Sequence, residues 1–277
     1  MKHLLLAAAL TLAAPAFAQD LKLPALSPTC RMSQDFSTSA IDLTYSRPSV
    51  RRRVIFGDVV PYGSVWRTGA NSATRIKFGE DVTVGGQAIK AGEYALYTVP
   101  GKAEWEIILN KGTGNWGSMG YDKESDVARF KVRPSELSTP TQTFTMSFDN
   151  MTLNSTDLTM KWEYTKVTIP IVANNQQRLS ASIDKAISQP SIPYFQAANY
   201  YYETSQNLDK AYEYVNKALE QNPKAYYMWN LKAKIAKKMG NRQEAIEAAN
   251  KTIETAKGTD AEAEYARNGR RILNSYK

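Results

Sequence analysis

Apolar and polar residues alternate along the chain between residues 41 and 172. In the first of these runs, Ile41, Leu43 and Tyr45 are separated by polar residues. A period of two predicts a strand with one buried face, and Gly or Pro near the strand ends, as at Gly85-Gly86, favours antiparallel hairpins. Further runs of this kind occupy residues 54–56, 74–78, 81–84, 87–90, 93–99, 105–109, 129–132, 143–148, 158–164 and 166–171. Because no helical pattern interrupts them, we expect an antiparallel β-sandwich over residues 41–172.

The spacing of apolar residues changes to three and four residues at Ala173. Leu179, Ile183 and Ile187 share one face of the first predicted helix, which Pro190 would end. The composition shift therefore places a domain boundary at residues 172–173.

A 34-residue period follows from Ile192 onwards. In the first unit the packing positions are occupied by Phe195, Ala198, Tyr202, Ala211, Val215, Ala218 and Pro223, and in the second unit Trp229, Ala236, Ala245, Ala249 and Thr252 occupy five of the same positions. This spacing resembles the tetratricopeptide repeat, in which small residues such as Ala211 and Ala245 let paired helices approach closely. With a last helix at about 260–275 as a cap, we predict a two-part α+β multidomain protein. An N-terminal antiparallel β-sandwich precedes C-terminal α-helical tetratricopeptide-like hairpins in residues 173–277.

The N-terminus has the pattern of a cleaved secretory signal. Lys2 and His3 precede an apolar run, and Ala16-Phe17-Ala18 supplies the small residues that a signal peptidase requires. We therefore expect a signal peptide over residues 1–18, an exported mature protein and no transmembrane segment. Residues 19–40 carry prolines and little pattern, and we interpret them as a tether.

Composition limits the chemistry available to the mature chain. His3 is the only histidine and Cys30 the only cysteine among 277 residues. Loss of the signal peptide removes the base of Ser-His-Asp and Cys-His mechanisms, and one cysteine builds neither a thiolate metal site nor an internal disulfide. We predict no cofactor, no metal and no catalytic residue, and we lean against an enzyme. Carboxylate-only catalysis and a calcium site formed by acidic residues stay open.

The net charge of +8 is concentrated on the Lys-rich C-terminal helices. Since an exported protein meets little nucleic acid, we expect the positive charge to favour contact with acidic proteins or membrane surfaces.

An acidic run at Asp122, Glu124 and Asp126 has the alternate spacing that begins an EF-hand loop, but its sixth and twelfth positions, Val127 and Arg133, exclude that motif. A basic cluster comprises Arg47, Arg51, Arg52 and Arg53, and on a strand Arg51 and Arg53 would share one face. It would bind a phosphate or a lipid headgroup, or protect an edge strand by its charge.

The connection between two strand-like runs, PYGSVWRTGAN at residues 61–71, is the first candidate site. Tyr62, Trp66, Arg67 and Asn71, together with Trp116 from a Gly-rich loop, combine aromatic faces, a guanidinium fork and an amide. Such groups suit a sugar, a carboxylate or a peptide end. In the alternative, which we favour, the loop seals one end of the sandwich and Trp66 is its plug.

The repeats offer the second candidate site. The residues at the groove-facing positions, with two that border them, are Gln196, Tyr200, Glu203, Tyr227, Asn230, Lys234, Lys237 and Lys238. This surface would hold an extended, partly acidic peptide from a protein partner. A spacer or self-association face is the alternative, and the oligomeric state is not indicated.

Several motifs in the N-terminal part resemble one family of exported bacterial proteins. They are RPSV at Arg47–Val50, IFGDVVPYGSVWRTGANSAT at Ile55–Thr74, KAGEYALYTVP at Lys90–Pro100, WEIILNK at Trp105–Lys111, Asn115-Trp116-Gly117 and a closing WEY near Trp162. In this order they resemble domain of unknown function 2911, although the family usually has Lys-Gly or a similar pair where this chain has Arg51-Arg52. The resemblance implies a β-rich exported domain, often in Gram-negative bacteria and sometimes followed by such repeats. It implies no established reaction.

These expectations together favour a non-enzymatic adaptor in the periplasm of a Gram-negative bacterium, or outside the cell, which binds a protein partner through its helical repeats. The alternative is a carbohydrate- or small-ligand-binding module centred on the 61–71 loop. A carbohydrate-active enzyme of this kind would need paired carboxylates that face one cleft.

Overall fold

A computed structural model describes residues 23–187 and 193–277. The strands are β1 (Thr29–Phe36), β2 (Ser39–Ser46), β3 (Thr74–Phe78), β4 (Val82–Val84), β5 (Gln87–Ile89), β6 (Gly92–Val99), β7 (Trp105–Asn110), β8 (Asp126–Val132), β9 (Ser135–Asp149) and β10 (Ser155–Ala173). The helices are α1 (Gln176–Ile187), α2 (Tyr194–Thr204), α3 (Leu208–Gln221), α4 (Tyr226–Lys238), α5 (Arg242–Ala256) and α6 (Glu262–Asn274). The α+β class, with strands before helices, is thus confirmed. The expected signal peptide and Pro190 lie outside the described residues.

The strands form two antiparallel sheets. One has the order β1-β2-β3-β6-β7-β8, and the other has the order β5-β4-β10-β9. The sheets pack face to face around a shared core, as Tyr45 on β2 illustrates. Its ring meets Phe144 on β9 edge-on with the ring centroids 5.8 Å apart, and its hydroxyl accepts the backbone N–H of Met146 at 2.9 Å. Apolar side chains of both sheets form this core, which is the arrangement expected of a β-sandwich.

Two details of the predicted β region are wrong. The tether does not extend to residue 40, because β1 pairs with β2 over its whole length. The pattern of β1 was hard to detect because an edge strand buries little, and only Phe36 among its residues is buried. Residues 54–56 are not a strand either. Ile55 is fully buried, but its N–H donates to the carboxylate of Glu163 at 3.1 Å instead of to a neighbouring strand.

The predicted strands at 158–164 and 166–171 are parts of one strand, β10. The break between them is a local irregularity at Glu163, where the register against β9 shifts and φ is 49°. A bulge of this kind bends a strand without ending it. β10 therefore runs through most of the smaller sheet, with β9 on one side and β4 on the other.

The helices confirm the 34-residue repeat. Two hairpins, α2–α3 and α4–α5, have their close contacts at Ala211 and Ala245, which are fully buried. Each second helix begins at an equivalent asparagine, since the side chain of Asn207 accepts the N–H of Lys210 at 2.9 Å and Asn241 caps α5 in the same way. α6 packs on α5 and covers the end of the array. Among the described residues, no helix is long and apolar enough to cross a membrane.

A hydrogen-bonded cluster joins the sandwich to α1. The side chain of Glu80 is 10% exposed, and its carboxylate accepts the Thr38 N–H at 3.1 Å, the Asn175 amide at 2.7 Å and the Arg178 guanidinium at 2.9 Å. Burial acts to raise the pKa of Glu80, but the hydrogen bonds from Asn175 and Thr38 outweigh it and the pKa is lowered. On its other side, α1 places Ile183 and Ile187 against the apolar cluster of α2 and α3.

Candidate functional site

Trp66, in the connection between β2 and β3, belongs to the core of the sandwich. Its side chain is 7% exposed and stacks on Trp162 with the ring centroids 5.9 Å apart and the planes at 16°. Phe144 packs against it edge-on at 5.3 Å. The indole N–H donates to the carbonyl of Gly69 at 3.0 Å, so this polar group is satisfied inside the protein. Trp66 is therefore a packed residue of the core.

Arg67 and Asn71 line a cavity of about 410 Å³ beside Trp66. The Arg67 guanidinium makes no hydrogen bond or ion pair with any residue in the described part of the chain, and its buried Nε has no partner. Burial lowers the pKa of this guanidinium. The Asn71 amide donates to the Ser27 carbonyl and to the Ser46 hydroxyl, both at 3.2 Å. Asn71 thereby holds the segment before β1 against the loop, where that segment forms one wall of the cavity.

The other two residues predicted for this site lie elsewhere. Tyr62 is 40% exposed and lines a separate shallow pocket with Lys102 and Trp105. Trp116 is 63% exposed and does not line the cavity, although its loop is attached to the site because the N–H of Gly117 donates to the Asn71 carbonyl at 3.0 Å. Trp66, Arg67 and Asn71 are thus brought together, whereas Tyr62 and Trp116 are not.

The basic cluster lies in a turn, so the expectation that Arg51 and Arg53 share one face of a strand is wrong. Arg51 and Arg52 have φ values of 51° and 59°, which are incompatible with an extended strand. The guanidinium of Arg53 donates to the carbonyls of Val50 at 3.0 Å and Ser49 at 2.8 Å. Local backbone groups therefore occupy its donors.

The acidic run is also engaged in local contacts. Asp122 caps a short 3₁₀ helix by accepting the N–H of Glu124 at 3.1 Å. Asp126 accepts from the guanidinium of Arg129 at 3.0 Å and from Asn110 at 2.8 Å. Within residues 23–187 and 193–277, no group of three or more His, Cys, Asp or Glu side chains is placed to hold a metal ion.

The helical repeats form a second cavity, which we call the basic cleft. Its volume is about 460 Å³, and α2, α4 and α6 contribute its lining residues Tyr202, Asn230, Lys234, Lys237, Lys238, Asn268, Arg271 and Ile272. Four of the residues predicted for the groove lie here, all of them on α4. The other four predicted residues, Gln196, Tyr200, Glu203 and Tyr227, do not line it.

The basic cleft combines unpaired cations with an unpaired amide. Lys234, Lys237 and Arg271 form no ion pair with the described residues, and no acidic side chain lines the cleft. Asn230 is only 7% exposed, yet its side-chain oxygen has no hydrogen-bond partner. By contrast, Lys238 is held in place: its ammonium group donates to the Ser205 hydroxyl and lies 5.0 Å from the centre of the Tyr202 ring.

Sequence reasoning missed the contribution of α6, although the repeat contained the signal. Asn268 and Arg271 follow Lys234 and Lys237 by one further period of 34 residues. They therefore occupy the same groove-facing positions in the capping helix. Extending the period by one helix would have identified both residues.

Residues 27–171 match the model of a family described as a protein of unknown function, DUF2911. The chain belongs to the DUF2911 family. The matched DUF2911 domain begins at the wall segment of the Arg67 cavity and ends within β10, so it contains nearly all of the sandwich. Residues 164–266 are similar to the auxiliary subunit of N-terminal acetyltransferase A, and this stretch contains the helices from α1 to α5. No curated protein matches the chain, and no solved structure matches it.

Proposed function

We propose that this protein is an exported, non-enzymatic adaptor, whose basic cleft binds an acidic segment of a partner protein. The observation that carries the proposal is the uncompensated charge of the cleft. Lys234, Lys237 and Arg271 converge on one cavity without an acidic neighbour in its lining. A carboxylate-bearing segment would supply the negative charge that the lining lacks.

The buried amide of Asn230 supports a peptide as the occupant. Its side-chain oxygen is an acceptor without a donor, and a buried polar group left unpaired costs about 1 to 3 kcal/mol. If the buried amide turned towards the cleft, the backbone N–H of an extended peptide would supply the missing donor, while acidic side chains of the same peptide met the surrounding cations. A fully deprotonated inorganic anion such as sulfate would supply no such donor.

The similarity of the helical part to an auxiliary subunit supports a role in association with another protein. Export, with the periplasm of a Gram-negative bacterium as the destination, is proposed from the composition of residues 1–18. The partner should then be an exported protein, or the exported part of a membrane protein, that carries a cluster of Asp and Glu residues.

The binding test uses two fluorescently labelled peptides and the full mature chain. One peptide is rich in Asp and Glu, and the other has the same sequence with Asn and Gln in their place. Fluorescence anisotropy should show binding of the acidic peptide only, with an affinity that falls as salt is added. The double variant Lys234→Glu/Lys237→Glu should weaken binding by about tenfold or more.

The matched control is the double variant Lys224→Glu/Lys257→Glu. Both of these lysines are exposed and lie outside the basic cleft, so the variant makes the same change in net charge without altering the lining. It should bind the acidic peptide nearly as well as the unmodified chain. Equal losses in the two variants, or equal binding of the two peptides, would contradict the assignment of the cleft.

The geometry gives less support to a sugar-binding sandwich. A sugar would need an open aromatic face, but the ring of Trp66 is stacked on Trp162 inside the core. The exposed Trp116 does not line the cavity formed by Arg67 and Asn71. We therefore propose the helical adaptor as the main function.

A further inference from the structure

The Arg67 guanidinium is a charge without a partner in the described chain. Ion pairs engage other arginines of the sandwich, such as Arg129 with Asp126 at 3.0 Å. The Arg67 side chain has neither an ion pair nor a hydrogen bond with the described residues, although its environment is dry enough that its Nε is buried. A partly desolvated cation normally has an anion or several carbonyl groups beside it. The missing partner is therefore the feature of this site that requires an explanation.

A second residue of the lining, Trp162, also carries an unsatisfied donor. Trp162 is 2% exposed, and its indole N–H has no hydrogen-bond partner. The neighbouring Trp66 shows how the fold normally meets this need, because its own N–H is bonded to Gly69. Two residues of the lining, Arg67 and Trp162, thus carry donor groups for which the described chain provides no acceptor.

The remaining lining residues restrict the chemistry of an occupant. Leu26, Val59 and Val60 contribute apolar surface, and no acidic residue lines the cavity. The carboxylate of Glu163, next to Trp162, is bonded to the N–H of Ile55 and is not part of the lining. A volume of about 410 Å³ lies within the range of small-molecule sites, which are mostly apolar with a few placed polar groups.

We propose that this cavity of the DUF2911 domain binds a small organic acid, with its carboxylate on Arg67 and its apolar body against the wall formed by Leu26, Val59 and Val60. A carboxylate matches the planar fork of a guanidinium and brings only acceptor atoms. One unpaired guanidinium also balances one negative charge, because the donors of Arg53 are bonded to backbone carbonyls. The site is separate from the basic cleft and does not depend on the adaptor role.

Isothermal titration calorimetry on the full mature chain tests the proposal with defined probes. Hexanoate and phenylacetate are the acids, hexanamide and phenylacetamide are their neutral counterparts, and inorganic phosphate tests a bare anion. We expect at least one acid to bind at millimolar concentration or below, about tenfold or more tightly than its amide. Binding of neither acid, equal binding of acid and amide, or binding of phosphate alone would overturn the proposal.

Two arginine variants locate the binding. Arg67→Met removes the charge and retains an unbranched apolar side chain, and it should lower the affinity for the acid by about tenfold or more. Arg52→Met removes an exposed charge from the nearby turn and should leave the affinity unchanged. Loss of affinity in both variants, or in neither, would refute the role of Arg67.

The melting temperature of the unliganded variants distinguishes a binding role from a structural one. Because the Arg67 side chain makes no hydrogen bond or ion pair in the described chain, Arg67→Met should melt at the same temperature as the unmodified protein or above it. The bound acid should raise the melting temperature of the unmodified chain but not that of Arg67→Met. A variant that melts far below the unmodified protein would instead show that Arg67 stabilises the fold, and this result would count against the proposal.

Discussion

Replacing Trp66 by alanine tests whether the 61–71 loop closes the sandwich. The indole packs against Trp162, Phe144 and Phe56, and its N–H is bonded to the carbonyl of Gly69. The substitution removes these contacts together and leaves the Gly69 carbonyl without its donor. We expect the loop to lose its anchor in the core, and the sandwich to lose much of its stability.

The magnitude follows from the burial of the side chain. An aromatic residue of this kind buries about 150 to 250 Å², and Trp66 remains only 7% exposed. At about 25 cal/mol per Å² of apolar surface, the lost burial corresponds to about 4 to 6 kcal/mol. Partial collapse of the neighbouring rings would recover some of this, so the expected loss is about 4 kcal/mol. Domains are commonly stable by about 5 to 15 kcal/mol, so the variant should lose about a quarter or more of the stability of the sandwich.

Urea unfolding measures the effect separately in the two parts of the molecule. Near-ultraviolet circular dichroism in the tryptophan bands, to which the sandwich contributes four of the five tryptophans, follows mainly the sandwich, and ellipticity at 222 nm follows the helices. The sandwich transition should move to lower urea while the helical transition stays close to its original position. Tyr62→Ala is the matched control, because Tyr62 belongs to the same loop but is 40% exposed, and it should cost less than about 1 kcal/mol.

A loss of unfolding free energy below about 1 kcal/mol in Trp66→Ala would refute the reasoning, because truncation of a tryptophan in a well-packed core costs more than this. An equal loss in Tyr62→Ala would refute it too, since the effect would then belong to the loop as a whole. In either case the interpretation of Trp66 as a plug would have to be abandoned.

Three further predictions concern the junction and the helices. Glu80→Gln should lower the free energy of unfolding by about 1 to 2 kcal/mol at neutral pH. This loss should shrink below about pH 4, because a carboxylate with a lowered folded-state pKa stabilises the fold only while it is ionised. Urea unfolding at several pH values would measure the loss, and a loss that does not change with pH would contradict the prediction. Asn241→Ala should cost the helical transition about 1 kcal/mol through loss of the α5 cap, and an unchanged midpoint at 222 nm would show that the cap is dispensable. Gly269→Ala should lower the stability of the helical part by about 1 to 3 kcal/mol, because the new methyl group would lie 2.8 Å from the carbonyl of Ala249 on α5. Thermal melts would compare this variant with Gly114→Ala, which should not change the stability because Gly114 has open space around it.

The helical half was predictable because its packing is periodic. Ala211 and Ala245 recur after 34 residues, and each must be small where two helices touch. The same regularity extends to Asn268 and Arg271 on α6. Such positions can be predicted from the sequence because they recur in each repeat, and each repeat buries its apolar face against the next one.

The sandwich was predictable in its interior and less so at its margins. Strands such as β6 and β7 are apolar and buried along most of their length, whereas the edge strand β1 alternates mainly between exposed and half-buried positions. Ile55 is fully buried but lies outside a strand, because the carboxylate of Glu163 accepts its N–H. A hydrogen bond between residues so distant in sequence leaves no local signal. The same holds for the Arg67 cavity, one wall of which comes from the segment before β1.

The continuity between β10 and the helices determines how a mechanical load would pass through the molecule. Only two residues separate the end of β10 from α1, and β10 has β9 on one side and β4 on the other. A partner pulling on the repeats would load β10 along its own axis, so that its hydrogen bonds would be sheared together rather than peeled apart one at a time. The sandwich should therefore resist traction from the helical side better than traction applied at its edge strand β1.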